Sequence, residues 1–198
     1  IIPYLENIFN LCYITNTTPR AWRKGVIKSL HKKGTKTDPR NYRPITLLPP
    51  IGKLFATIIN KRLTDHLENN ELLSSTQNGF RTRNSRNCLD HLYTLSEIRN
   101  LYTEHDRTLF YAFIDFKSAF DMVPREAMLS ALVKLGVNTH LVKVIHSLYR
   151  ETTAKALFHK AQSRSFNINQ GVAQGCPLSP TLFAAFINSL LNTLNTSK

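Results

Sequence analysis

The chain has 198 residues, 42% of them hydrophobic, and carries 26 Lys+Arg against 13 Asp+Glu for a formal charge of +13. That length suits one good core or two small lobes, and that charge points to a polyanionic partner such as nucleic acid or an anionic surface. No apolar run approaches the ~20 residues that a spanning helix needs, and the three cysteines lack the spacing of a zinc ribbon or a disulfide framework, so an intracellular protein with no membrane partner is expected.

The chain opens on Ile1-Ile2-Pro3 inside what reads as a helix, with Tyr4, Leu5, Ile8, Phe9 and Cys12 at helical spacing, and is expected to be a piece of a longer protein. Gly25 to His31 alternates as a half-buried strand does, and Arg43 to Leu47 reads as its hairpin partner across the polar loop Lys32 to Tyr42. Between Arg20 and Arg43 lie nine Lys/Arg and a single acid, Asp38. Such a run is either a solvated face or a hairpin that folds over a phosphate chain, and Gly34 near its tip allows the second.

Pro49-Pro50 predicts the start of a long amphipathic helix whose stripe is Ile51, Leu54, Phe55, Ile58, Ile59, Leu63 and Leu67. The Asn78-Gly79 turn leads into exposed arginines, of which Arg81 and Arg83 are candidates for contact with a nucleic-acid backbone. A helix capped by Ser85 follows, with Leu89, Leu92, Leu95, Ile98, Leu101 and Tyr102 as its apolar stripe.

Leu109 to Ile114 is six apolar residues in a row, which predicts a strand buried on both faces, and Asp115 stands at its C-terminal end. An ionised carboxylate there is either the cap of the turn Lys117 to Phe120 or a group held by a cation or a hydrogen-bonding partner. Beyond it, Pro124 opens a helix that Gly136 stops, Asn138 caps another, and Thr153 to His159 with Ser165 to Ile168 reads as a second hairpin. A loop with two glycines, Asn169 to Leu178, precedes a helix capped at Ser179-Pro180, and no Asp or Glu follows Glu151.

Four stretches in order resemble the reverse transcriptase domain of non-LTR retrotransposons. They are Asn41-Tyr42-Arg43-Pro44-Ile45-Thr46-Leu47, Gln77-Asn78-Gly79-Phe80-Arg81, Phe113-Ile114-Asp115-Phe116-Lys117-Ser118-Ala119-Phe120-Asp121 and Gln174-Gly175-Cys176-Pro177-Leu178-Ser179-Pro180. The resemblance implies an α+β fold: a fingers subdomain over residues 1–108 and a partial palm over 109–198, helices packed on a small antiparallel sheet, and no thumb. It implies an RNA-directed DNA polymerase that adds nucleotides to a primer 3′-hydroxyl with two Mg²⁺ ions, with an RNA template, a DNA primer, deoxynucleoside triphosphates and the rest of a retrotransposon polyprotein as partners.

By the same resemblance Asp115 is a metal ligand with the carbonyl of Phe116 beside it. Lys32 and Arg43 grip the triphosphate, with Lys33 a rival for Lys32. Phe120 lies against the sugar, and Gln174 and Gly175 lie against the nucleotide and templating pair. Asp121 matches a second motif position but is expected to be structural. The family completes its metal site with an Asp-Asp pair further on, and the chain is expected to stop before it. The alternative is a nucleic-acid-binding remnant that no longer catalyses; a basic α/β protein with a merely structural Asp115 would require all four matches by chance.

Overall fold

Alternating apolar residues build a small sheet on one side of the molecule, and four helices with helical apolar spacing build the core on the other. The computed structural model describes residues 1–81, 87–158 and 161–196. Strands β1 (Lys24–His31) and β2 (Tyr42–Leu47) form the expected antiparallel hairpin. Its loop turns at Gly34, whose φ of 81° is in the left-handed region and where a Cβ would meet the Asn41 amide at 2.6 Å. The loop's single acid is consumed locally: Asp38 accepts from the backbone and side chain of Arg40, whose guanidinium holds that carboxyl below the usual carboxylate range.

The sheet is mixed rather than antiparallel. β3 (Thr153–Phe158) runs parallel to β1, with Val26 opposite Lys155, and two short antiparallel strands, β4 (Ala161–Gln162) and β5 (Phe166–Asn167), pair with β3. Parallel pairing follows because the chain reaches β3 by a long crossover through helices, not by a tight turn. The sheet therefore draws strands from both sides of residue 108.

Helix α1 (Ile2–Thr15) lies over α2 (Pro50–Asn69), and Phe9, Trp22 and Phe55 meet ring to ring at centroid distances of 5.3 to 5.9 Å. Of the expected α2 stripe, Phe55, Ile59, Leu63 and Leu67 are buried, at a strict four-residue spacing. Ile51, Leu54 and Ile58 stay exposed on the flank, because one neighbouring surface covers only one face of a helix. Helices α4 (Arg125–Lys134), α5 (Thr139–Tyr149) and α6 (Ser179–Thr196) complete the core with Met128, Leu132, Val144, Ile145 and Leu182, each contributing roughly 1.5–3 kcal/mol by leaving water. The expected stops and caps of this region stand: Gly136 has a φ of 70°, and Asn138 accepts from the backbone N–H of His140 at 2.8 Å.

Two polar groups are buried where the chain turns back on the core. Asn188 on α6 accepts from the Ser74 backbone N–H at 2.7 Å and donates to the Leu72 carbonyl at 3.1 Å. Arg81 donates from Nε and Nη2 to the two oxygens of Glu68, both at 2.7 Å, and from Nη1 to the carbonyls of Ser74 and Gln77. Both side chains of that pair are almost fully buried, 7% and 4% exposed. Arg81 was expected to reach a nucleic-acid backbone; as placed, its guanidinium is committed to the protein. Arg83 and the expected cap Ser85 lie outside the described residues.

Helix α3 (Cys88–Glu104) begins at a capping box, Asn87 accepting from the Asp90 backbone N–H while Asp90 accepts from that of Asn87. None of its residues is buried, so the stripe from Leu89 to Tyr102 covers no core in this fold. The expected buried strand 109–114 is likewise not formed. The segment has no sheet partner among the described residues, and Phe110, Phe113 and Ile114 are 89%, 83% and 77% exposed. High strand propensity cannot make a strand without a ladder to join, because propensity reflects packing against neighbouring strands. What remains is a shallow groove of about 290 Å³ where Tyr111 and Phe113 flank Leu92, Leu95 and Arg99 of α3.

Because the Glu68–Arg81 pair is desolvated, Glu68→Ala should cost about 3–5 kcal/mol by stranding a buried guanidinium, while the double change Glu68→Leu, Arg81→Met should cost less than that single change. Urea unfolding midpoints measure both; a loss below about 1 kcal/mol for Glu68→Ala would show that water reaches the pair.

Candidate active site

Three pieces of chain converge beside the sheet: β2, the turn from Lys117 to Pro124, and the loop from Asn169 to Ser179. The turn is tight rather than helical, with Ser118 at a φ of 52° and its carbonyl accepting from the N–H groups of Asp121 and Met122. The loop is laid on it through backbone bonds, Gly171 N–H to the Val123 carbonyl and Val172 N–H to the Phe120 carbonyl, each 2.8 Å. At that approach a Cβ on Gly171 would stand 2.6 Å from the Asp121 carbonyl oxygen, so no other residue fits without a shift.

Further along, the Gln174 carbonyl accepts from the Thr46 N–H at 2.7 Å, joining the loop to β2. Gly175, at a φ of 116°, passes the Thr46 carbonyl so closely that a Cβ would lie 2.7 Å away. The side chain of Gln174 donates from Nε2 to both oxygens of Asp121 at 3.0 Å. That amide is thereby oriented: with Nε2 on the carboxylate, Oε1 is the atom left to accept. Asp121 was expected to be structural; it holds Gln174, one of the expected nucleotide contacts.

Arg125, which the sequence reading did not single out, anchors the same loop. It donates to the carbonyls of Gly171 at 3.0 Å and Tyr149 at 2.7 Å and sits over the Tyr149 ring at 5.3 Å. Burial lowers its pKa below the usual arginine value, while the nearby Tyr149 works in the opposite direction. Burial also pushes the Tyr149 hydroxyl and the Cys176 thiol up, so both stay neutral against this guanidinium at physiological pH. The only sequence signal for Arg125 was its place after the Pro124 that opens α4.

Phe120 is half-buried, stacked on Phe183 at 5.1 Å and 14° between planes, with Phe80 edge-on at 5.9 Å. Asp115 is exposed, and among the described residues no hydrogen bond or ion pair holds it, so it does not cap the turn. Phe116 beside it is 48% exposed. Among the described residues no three His, Cys, Asp or Glu side chains gather into a metal cluster. The donor set at this corner is thus one free carboxylate and its neighbouring carbonyl, so a Mg²⁺ ion there would fill most of its shell with water and substrate phosphates.

Lys32, Lys33 and Arg43 are exposed, and no carboxylate pairs with them among the described residues. Strand register extends that charge across the sheet. Residues opposite one another share a face, so Lys24, Lys28, Arg43 and Lys155 lie on one side, interleaved with Val26, Leu30, Ile45 and Leu157. No acid shares that face among the paired residues. The charge run visible in the sequence stopped at Arg43; the parallel register adds Lys155, more than a hundred positions away.

Residues 30–198 match the reverse transcriptase (RNA-dependent DNA polymerase) family. The chain is similar to the probable RNA-directed DNA polymerase from transposon X-element of Drosophila melanogaster, 28% identical over 192 residues, covering 96% of this chain and 21% of the relative. It is 30% identical over 190 residues to the RNA-directed DNA polymerase from mobile element jockey of the same organism, covering 96% and 20%. It is 29% identical over 193 residues to the Pol polyprotein from type-1 retrotransposable element R2 of Popillia japonica, covering 97% and 26%. The chain thus spans about a fifth to a quarter of the length of these curated relatives. With residues 30–198 matched and these relatives the polymerases or Pol polyprotein of mobile elements, this chain belongs to the reverse transcriptase family of non-LTR retrotransposons.

Proposed function

We propose that this chain supplies the fingers, over residues 1–108, and part of the palm, over 109–198, of an RNA-directed DNA polymerase that copies the RNA of a non-LTR retrotransposon. The observation that carries the reading is the basic sheet face of Lys24, Lys28, Arg43 and Lys155, free of acids and continuous with Lys32 and Lys33 on the hairpin. A surface of that kind holds a nucleic-acid strand through its phosphates, without regard to sequence.

In this reading Lys32 and Arg43 take the triphosphate of the incoming nucleotide, Arg43 with the planar fork that suits phosphate oxygens, and Lys33 tracks the template. Gln174, fixed by Asp121, and Gly175, fixed on β2, bound the nucleotide from the loop side. Phe120 offers a ring edge to the sugar, where a 2′-hydroxyl would collide with it. Magnesium ions, when bound, would neutralise charge on the attacking and leaving oxygens of the phosphoryl transfer. Asp115, with the Phe116 carbonyl, would be this chain's contribution to holding them. Since one carboxylate falls short of a two-ion centre, a second reading, a nucleic-acid-binding chain without catalysis, is kept for experiment to decide.

Binding of an RNA–DNA hybrid by these 198 residues should weaken steeply with salt, and Lys155→Ala should reduce the slope of log K against log salt by about one while weakening all sequences alike. Fluorescence anisotropy over a salt series measures this; an unchanged slope would remove β3 from the interface.

The 198-residue chain should not extend a primer on an RNA template with Mg²⁺, whereas a longer polymerase containing it should, and Asp115→Ala should abolish that extension. Primer extension that the short chain performs in an Asp115-dependent way would show that its donors suffice. If the longer protein binds hybrid but never extends, the non-catalytic reading holds.

In the active longer protein, Phe120→Val should admit ribonucleotides while leaving deoxynucleotide insertion largely intact. Single-nucleotide insertion kinetics read this directly; unchanged sugar discrimination would confine Phe120 to its stack with Phe183.

A further inference from the structure

On the other face of the sheet from Arg43 and Lys28, a cavity of about 550 Å³ lies between the sheet and the helices. Gly25, Ile27, Pro44 and Thr46, the alternate positions of β1 and β2, form its roof. Its roof is therefore the face opposite the basic one, while its loop wall includes Gln174 and Asp121, which the polymerase reading also uses. Its volume is in the range of pockets that enclose small organic molecules, and its walls are largely apolar.

One wall residue is out of keeping with that lining. Arg23 is 8% exposed, yet among the described residues only its Nη1 is hydrogen-bonded, to the Arg150 carbonyl at 2.6 Å. Its Nε is buried without any hydrogen-bond partner. The nearest carboxylate, Glu151, pairs with Nη1 at 3.7 Å, beyond hydrogen-bond distance, from a position 59% exposed. A guanidinium has five N–H donors, and a buried one with most of them unused is poised for an acceptor that the protein does not supply.

The other charges that line the cavity are already matched. Arg125 is committed to two carbonyls and the Tyr149 ring, and Asp121 to Gln174. What stays short of acceptors is one planar cation beside apolar walls, tied only through Nη1 to the Arg150 carbonyl and the distant Glu151, and that fits a carboxylate on a hydrocarbon body better than a strongly hydrated phosphate. We propose that this cavity is a binding site for a small amphipathic carboxylate, its anion on Arg23 and its apolar body against Trp22, Ile27, Leu48 and Leu148.

Trp22 is the only tryptophan of the chain, so its fluorescence reads occupation of the cavity. The probes are octanoate and its neutral counterpart 1-octanol, titrated into the 198-residue chain with excitation of Trp22. Octanoate should change the emission saturably and bind at least tenfold more tightly than octanol. Arg23→Gln should remove that preference while octanol binding persists, and Ile27→Phe, which fills the cavity without touching the cation, should weaken both. Equal affinity for the two probes in the unaltered chain, no change in Trp22 emission, or octanoate binding unaffected by Ile27→Phe would each overturn the proposal. Should circular dichroism show Arg23→Gln unfolded, the comparison of probes in the unaltered chain and in Ile27→Phe decides alone.

Discussion

The candidate site depends on one close approach: the loop from Asn169 to Ser179 lies against both the Lys117–Pro124 turn and β2 with backbone touching backbone. Gly171 and Gly175 make this possible, since each passes a carbonyl oxygen at a distance no Cβ could occupy. Three backbone hydrogen bonds of 2.7–2.8 Å then fix the loop, and the Asp121–Gln174 contact sets the Gln174 side chain. Without the two glycines the loop would stand off, and turn, strand and Gln174 would lose their common frame. The adaptability of glycine is used here for proximity as much as for its torsions.

Arg125 and Tyr149 make the same frame rigid from below. The guanidinium spans the Gly171 and Tyr149 carbonyls, so loop and α5 are tied by one planar group whose geometry a lysine could not reproduce. The Tyr149 hydroxyl lies 3.4 Å from the Ser179 hydroxyl, which also donates to the Ala173 carbonyl, and this joins the start of α6 to the loop. Desolvation keeps these hydroxyl and thiol groups neutral, so the anchor carries a single charge and is insensitive to pH near neutrality.

The sheet separates two kinds of chemistry by alternation alone. One face gathers lysine and arginine from three strands, and the other roofs an apolar cavity; a shift of one residue in any pairing would exchange them. The extended segment 109–114 and α3 lie outside this organisation, with large apolar side chains exposed on both. Their sequences are those of buried elements, but burial requires a neighbouring surface, and among the described residues none covers them.

The sequence by itself determined the elements whose signals are local. The hairpin of β1 and β2, the helices opened by Pro50 and Pro124, the stop at Gly136, the cap at Asn138 and the glycine loop with its following helix could all be read from spacing and residue type. Family membership was also legible, because motif order survives without coordinates. Only tertiary structure decided the rest, since each remaining feature depends on what lies across from a residue in space. The parallel register of β3 put Lys155 on the same face as Lys28 and Arg43. Glu68 drew Arg81 into the core, though an exposed arginine and a buried one look alike in a sequence. Asp121 found its role in Gln174, 53 positions away. The strand expected at Leu109 to Ile114 did not form, because strand propensity is a readiness to pair, and pairing needs a partner that local sequence cannot provide.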